Sequence, residues 1–336
     1  MPSIHNLSHA QHTADGDKPR VTGGPPLHLV ANPASGTGEG ASLVERAGAA
    51  CARAGRTLVL HDSAGPGGLE GAARRAHAAA RADGGVVVAA GGDGTVRSVA
   101  QELAGGMVPL AVVPVGTFNF FARNHGIPQD SDAALALALE GAPRAVALGE
   151  VNEQVFLVNA SFGLYARAVA QRERDTARFG RNRAVVIAST VLSLLRGHPL
   201  MDLELEAGGR AQRVRTPMVF VGSNALQLRD VSLEVAHCLR DGRLAVVVLR
   251  PVGFWGMLRL ALSGLARALQ QEERLESFCA DRLRVHPRRR RIRVALDGEL
   301  FNLRTPLCFG TRPAAIRVVL PGEPMAGVAG GAREPA

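Results

Sequence analysis

The sequence predicts an α/β chain in two parts: an N-terminal domain built on a parallel sheet, then a second, mostly antiparallel β-rich domain. Two observations carry this. As far as residue 148, short apolar runs alternate with longer helical stretches, as parallel strands require for their crossovers. Beyond it the runs are strand-like and separated by turn signals such as Gly208-Gly209 and Asp241-Gly242. The division reads 25–148 and 149–321, with tails at 1–24 and 322–336.

Leu27–Val30 is the first apolar run and ends in Asn32-Pro33-Ala34-Ser35-Gly36-Thr37-Gly38. A helix follows over Ala41–Ala54, then a strand at Thr57–Leu60 and a helix at Leu69–Ala82. Gly85–Ala90 is a continuous apolar, valine-rich run, as in a strand buried on both faces. It feeds Gly91-Gly92-Asp93-Gly94-Thr95 and a helix as far as Leu103. Leu110–Val113 is another buried strand, followed by Pro114–Asn119 and a helix. The second domain offers strands at Val155–Asn159, Leu203–Glu206, Met218–Val221, Leu244–Leu249, Leu283–Val285, Arg291–Leu296 and Ala315–Leu320. Helices fit Arg181–Leu195 and Gly256–Gln270; the second carries a leucine stripe at 258, 262, 265 and 269 that reads as core.

Composition narrows the chemistry. Aromatic residues are only 4 % of the chain, so the cores must be aliphatic. No apolar run reaches the roughly 20 residues needed to span a bilayer, and Met1–Gly24 is polar and His-rich, unlike a signal peptide. The net charge of +9 favours anionic partners. Nearly all of the basic residues are arginine; the single lysine, Lys18, lies in the N-terminal tail. A Walker A loop, a protein-kinase lysine and Schiff-base chemistry are therefore excluded from the folded part. Cys51, Cys238, Cys279 and Cys308 are widely spaced, which argues against a zinc site and a disulfide scaffold and suits a reducing cytoplasm. No histidine suggests a metal site. Arg288–Arg291 reads first as a solvated loop, and second as a contact for anionic headgroups.

The three loops carry the functional signal. Each follows a parallel strand, where ligands sit in open sheets, and each precedes a helix whose first N–H groups are free. Backbone amides can then cradle phosphate without lysine. The candidate nucleotide contacts are Asn32, Ser35 and Gly36; Gly91, Gly92, Asp93, Gly94 and Thr95; and Gly116, Thr117 and Asn119. Asp297-Gly298-Glu299 follows a strand, so two carboxylates can face one site; Asp93 supplies a third. Asp297-Gly298 suits a tight hairpin turn equally well, and spacing alone leaves both open.

Together the motifs resemble the bacterial lipid kinases that share a catalytic domain with diacylglycerol and sphingosine kinases. The matching residues are Asn32-Pro33-x-Ser35-Gly36, Gly91–Thr95, Pro114-x-Gly116-Thr117-x-Asn119-x-Phe121-Ala122-Arg123, Asn159-Ala160-Ser161-x-Gly163-Leu164-Tyr165, Asp241-Gly242-x-Leu244 and Asp297-Gly298-Glu299. They run in the family's order from about Leu27 to Pro321. The resemblance implies a nucleotide-binding α/β domain, a lipid-binding β-rich domain and a cleft between them. It implies ATP and Mg2+ as cofactors, Glu299 as proton acceptor, and Asp93 and Asp297 near the catalytic magnesium. Asp93 competes for the base, as in sphingosine kinases. A structural magnesium at Asp241, with the Leu239 and Leu244 carbonyls, is a further implication.

The chain departs from the family at Phe120, where an aspartate is common, at Ser98, where a glutamate is common, and at Thr37, where a basic residue is common. The expected partners are a lipid substrate and an anionic membrane surface met peripherally from the cytoplasm. No nucleic acid is expected, and a homodimer is open. The rival readings are a kinase of a soluble substrate, like the NAD kinases, and a non-catalytic nucleotide-binding regulator.

Overall fold

The computed structural model describes residues 24–33, 39–167, 169, 200–224, 234–251 and 275–322. Ser35, Gly36 and the helices expected at Arg181–Leu195 and Gly256–Gln270 lie outside the described residues.

The first domain alternates as expected: β1 Leu27–Ala31, α1 Glu39–Arg53, β2 Leu58–Asp62, α2 Gly68–Asp83, β3 Val86–Gly91, α3 Asp93–Leu103, β4 Pro109–Pro114 and α4 Phe120–Asn124. A further helix, α5 Ser131–Glu140, leads into β5 Ala142–Val151. The strands lie in the order β2-β1-β3-β4, all parallel. Val30, Val87 and Val112 face α2 and α3. Leu29, Val88 and Val113 face α1 and α5. This two-sided burial is why those strands read as unbroken apolar runs.

The second domain contains β6 Gln154–Phe156, β7 Asn159–Gly163, β8 Met201–Ala207, β9 Arg210–Thr216 and β10 Met218–Gly222. A 3₁₀ helix at Glu234–Asp241 precedes β11 Leu244–Leu249, β12 Leu275–Ala280, β13 Arg282–Pro287, β14 Arg291–Leu296, β15 Glu299–Arg304 and β16 Leu307–Leu320. One sheet runs β12-β11-β10-β7-β14-β15, with every pair antiparallel. It packs through Val221, Val246 and Leu296 on Leu205, Val285 and Phe309 of the other sheet.

The two domains share a sheet. β16 pairs in parallel with β4 and antiparallel with β5 and β13, so the order continues β4-β16-β13-β8-β9. A register shift between Arg312 and Ile316 divides it. Leu307 and Phe309 join the core of the second domain, while Ile316 and Val318 join that of the first.

Two expectations change. Val155–Asn159 is not one strand but two, broken at Leu157 and Val158, whose amides bond a side chain instead of a ladder. The cysteine reading is also corrected: Cys238 and Cys279 form a disulfide, S–S 2.03 Å. Sequence spacing misled because the 3₁₀ helix folds directly onto the β11–β12 pair and cancels the separation of 41 residues. Cys51 is a buried thiol and Cys308 an exposed one. No described helix is long and apolar enough to cross a membrane.

Candidate active site at the phosphate-loop edge

Because β1, β3 and β4 are neighbours with one direction, their carboxyl ends bring Asn32, Gly91–Thr95 and Gly116–Asn119 to one edge of the sheet. The second and third loops touch backbone to backbone. A Cβ at Gly116 would stand 2.5 Å from Gly92 Cα and 2.7 Å from Asn119 Oδ1, which is why Gly116 carries no side chain. Asn119 adopts the left-handed conformation (φ 51°) that asparagine tolerates. Its Oδ1 accepts from Gly116 N at 3.0 Å, and its Nδ2 donates to Gly116 O at 3.0 Å. Thr117 stands exposed beside it, and Asn32 is exposed at the end of β1. Asp93 opens α3, where first-turn amides lack helical acceptors.

Asp93 fastens the second loop to the third. Its carboxylate accepts from the amides of Phe120 (3.1 Å) and Phe121 (3.0 Å). The departure at Phe120 thus keeps its backbone role while its ring stacks on exposed Phe118, centroids 5.6 Å apart. From the second domain, buried Asn224 donates to Phe120 O at 3.1 Å.

Asp297 and Glu299 separate. Asp297 (φ 49°) and Gly298 (φ 89°) both lie in the left-handed region, and Leu296 pairs with Glu299, so the motif is a two-residue hairpin turn. The Asp297 carboxylate accepts from Leu157 N (2.7 Å), Val158 N (2.8 Å) and Asn159 N (3.0 Å). Burial pushes its carboxyl up to about 6, against the pull of these three amides and of Arg97. The extended segment expected to present both carboxylates is a turn that reverses the chain between them; Arg97, which pairs with Glu299, also pulls on the Asp297 carboxyl.

Glu299 reaches the second loop. A Cβ at Gly94 would meet Glu299 Oε1 at 2.6 Å, so that oxygen lies directly over the second loop. Its Oε2 accepts from Arg97 Nη2 at 2.7 Å. The Arg97 side chain is 4 % exposed, stands over the Phe301 ring at 4.5 Å, and also donates to Ser98 Oγ at 3.3 Å. The sequence reading missed Arg97 and Asn224. Arg97 could have been noticed as a charge inside a helix whose flanking residues, Val96 and Val99, are core. Nothing in the sequence marked Asn224.

Asp241 stands exposed at the end of the 3₁₀ helix, and the Leu239 carbonyl accepts from Gly242 N at 3.2 Å. Among the described residues no group of three His, Cys, Asp or Glu ligands gathers there, nor around Asp93 or Asp297.

Residues 26–151 match the family model of the diacylglycerol kinase catalytic domain. The protein named "Probable lipid kinase YegS-like" in Pseudomonas putida is 31 % identical over 246 residues, 71 % of this chain and 78 % of that one. Its namesake in Pseudomonas fluorescens is 31 % identical over 258 residues, 74 % of this chain and 80 % of that one. The Pseudomonas aeruginosa namesake is 42 % identical over 134 residues, which span 43 % of its length. A solved structure of a diacylglycerol kinase from Bacillus anthracis str. Sterne superposes with a TM-score of 0.62 at 18 % identity, covering 88 % of this chain and 97 % of that one. At that identity the likeness is one of fold.

Proposed function

The chain belongs to the YegS-like lipid kinase family, and from that premise we propose that it transfers the γ-phosphoryl group of ATP to a hydroxyl of a diacylglycerol-like lipid. The observation that carries this reading is Glu299 Oε1 poised over Gly94 of the phosphate loop. ATP, with Mg2+ neutralising its phosphates, supplies the phosphoryl group. The chain's own parts are positional. The touching glycines Gly92 and Gly116 leave backbone open to phosphate oxygens, and the first-turn amides of α3 add donors. Each Asp93 oxygen accepts one amide and keeps lone-pair capacity, so Asp93 fits a magnesium ligand. Asp297 fits one less well: it is buried, its carboxyl is raised to about 6 and it already accepts three amides, two of them on Oδ1, so we assign it a positioning role in place of the metal role.

Glu299 accepts the proton of the lipid hydroxyl as its oxygen bonds phosphorus and ADP leaves. Arg97 holds the second carboxylate oxygen, so Oε1 is the one presented. The exposed Arg288–Arg290 loop, where Arg288 also meets Asp202 at 3.3 Å, is the basic surface we assign to anionic headgroups.

Radiolabelled ATP offered with diacylglycerol, other lipid alcohols and NAD tests the reading. Label should enter an extracted lipid, and Glu299→Gln should lower kcat by roughly 10²–10⁴-fold with near-normal ATP affinity. Label in NAD, or in no acceptor at all, overturns it. If Glu299→Gln keeps more than about a tenth of turnover while Asp93→Asn loses it without a binding defect, Asp93 is the base.

A further inference from the structure

We propose that His237, Cys238 and Cys279 form a site for a soft divalent cation such as Zn2+ when the chain is reduced. None of the three belongs to the loops or carboxylates assigned above. The 3₁₀ helix carrying His237 and Cys238 turns at Gly242 (φ 72°) straight into β11, whose Ala245 pairs with Cys279 of β12. Arg243 fixes this corner from both sides. Its amide donates to the Cys238 carbonyl at 3.0 Å, its Nη2 donates to the Cys279 carbonyl at 3.2 Å, and its Nε pairs with Asp281 at 3.1 Å. The two sulfurs and the imidazole nitrogen lie within 4.8 Å of one another, and the Arg243 bonds tie together the backbone beside both cysteines without involving sulfur.

The ligand set suits a borderline-soft ion. Zinc bonds sulfur at about 2.3 Å and imidazole at about 2.0–2.1 Å, so neighbouring tetrahedral ligands lie roughly 3.5 Å apart. His237 Nε2 already lies 3.4 Å from Cys279 Sγ. Cys238 is fully buried against Val235, Ala245 and Val247, while His237 is exposed, so the site has a dry wall and an open side. That is the layout of three protein ligands with a solvent-facing fourth position.

The disulfide and the cation exclude each other. A dithiol or phosphine reductant supplies two electrons to the S–S bond, and two protons are taken up to give two thiols. The cation then displaces both protons, forming two metal–sulfur bonds and one metal–nitrogen bond, with water in the fourth place. Two thiolates balance its double charge inside an apolar pocket.

The test titrates Co2+ into the reduced full-length chain without oxygen. A thiolate-to-metal charge-transfer absorption should saturate at one ion per chain and disappear when Zn2+ is added. It should be absent from the oxidised chain and from Cys279→Ser, and His237→Ala should bind at least about tenfold more weakly. A Cys51→Ser/Cys308→Ser double variant should behave as wild type. Absence of the absorption in the reduced wild type, or its survival in Cys279→Ser, overturns the proposal. Because Cys279→Ser could destabilise β12, alkylation of the reduced wild type gives an independent answer. Zn2+ should protect Cys238 and Cys279 but not Cys308, and equal labelling with and without Zn2+ overturns the site.

Discussion

At the residue scale the proposed chemistry turns on which Glu299 oxygen is left open by Arg97. Arg97 takes one and Gly94 makes room for the other. Arg97→Gln should leave the fold intact, judged by circular dichroism, but lower kcat on the order of 10²-fold through misplacement of the carboxylate. Arg97→Lys should recover part of this, and unchanged turnover in Arg97→Gln would leave Arg97 a purely structural residue. Gly94→Ala pushes on the same carboxylate, so its loss of turnover should not add to that of Glu299→Gln; a fully additive double variant would break the assignment.

His125 supplies a separate, pH-dependent term. Burial against Phe121, ring centroids 4.6 Å apart, depresses it from 6.5 to about 4. Between about pH 4 and 6.5 this histidine is neutral in the fold and protonated in the unfolded chain. Its stabilisation is therefore complete above pH 6.5 and fades as pH falls towards 4. The amount is on the order of 3 kcal/mol. Asp297 acts in the opposite sense: its raised carboxyl contributes stability below pH 4 that is lost as pH rises through about 6. Urea midpoints of wild type and His125→Gln at pH 7 and pH 4.5 separate the two. The variant should lose less stability on acidification than wild type.

At the scale of elements the hairpin turn does two jobs. It starts β15 with Glu299 in place, and its Asp297 carboxylate gathers the amides that end β6 and begin β7. Asp297→Asn sets an amide donor against at least one backbone N–H. The expected cost is about 1–3 kcal/mol of stability, with turnover lost more than ATP affinity. A thermal shift together with ATP calorimetry reads both, and an unaltered melting temperature would contradict the staple. This is also where the sequence was half legible. Asp297-Gly298 announced a turn, and the turn is present; Glu299 was read as a carboxylate facing the loops, and its Oε1 lies over Gly94. What could not be read was the long-range use of Asp297, about 140 residues from its acceptor-seeking amides. β9, β12 and β15 stayed hidden for another reason: their burial is only partial, so their apolar alternation is diluted by residues such as Arg213, Glu276 and Arg304.

For the whole molecule, the parallel half was legible because burial on both faces leaves a strong apolar signature, and the phosphate loops because glycine is required where two backbones meet. The joint between domains was not. Ala315–Leu320 was readable as a strand, but only pairing shows that it belongs beside β4. The residues that match the catalytic-domain family, 26–151, thus omit a strand of their own sheet. A fragment of 24–151 should aggregate or stay partly unfolded under conditions where the 336-residue chain stays soluble, and adding a peptide of residues 307–322 should restore solubility. A monodisperse, cooperatively melting fragment would show that β16 is dispensable.

The same strand sets the order of events during synthesis. A ribosome releases β1 to β4 early, complete with their helices, yet the rim of β4 must wait for residues 315–320. Through that interval the nascent chain carries a bare parallel edge, the kind of surface that recruits other strands. Final closure of the parallel half is thus timed by translation of the antiparallel half. The chain cannot finish the sheet that carries its glycine loops before it has made Glu299, the carboxylate that lies over them.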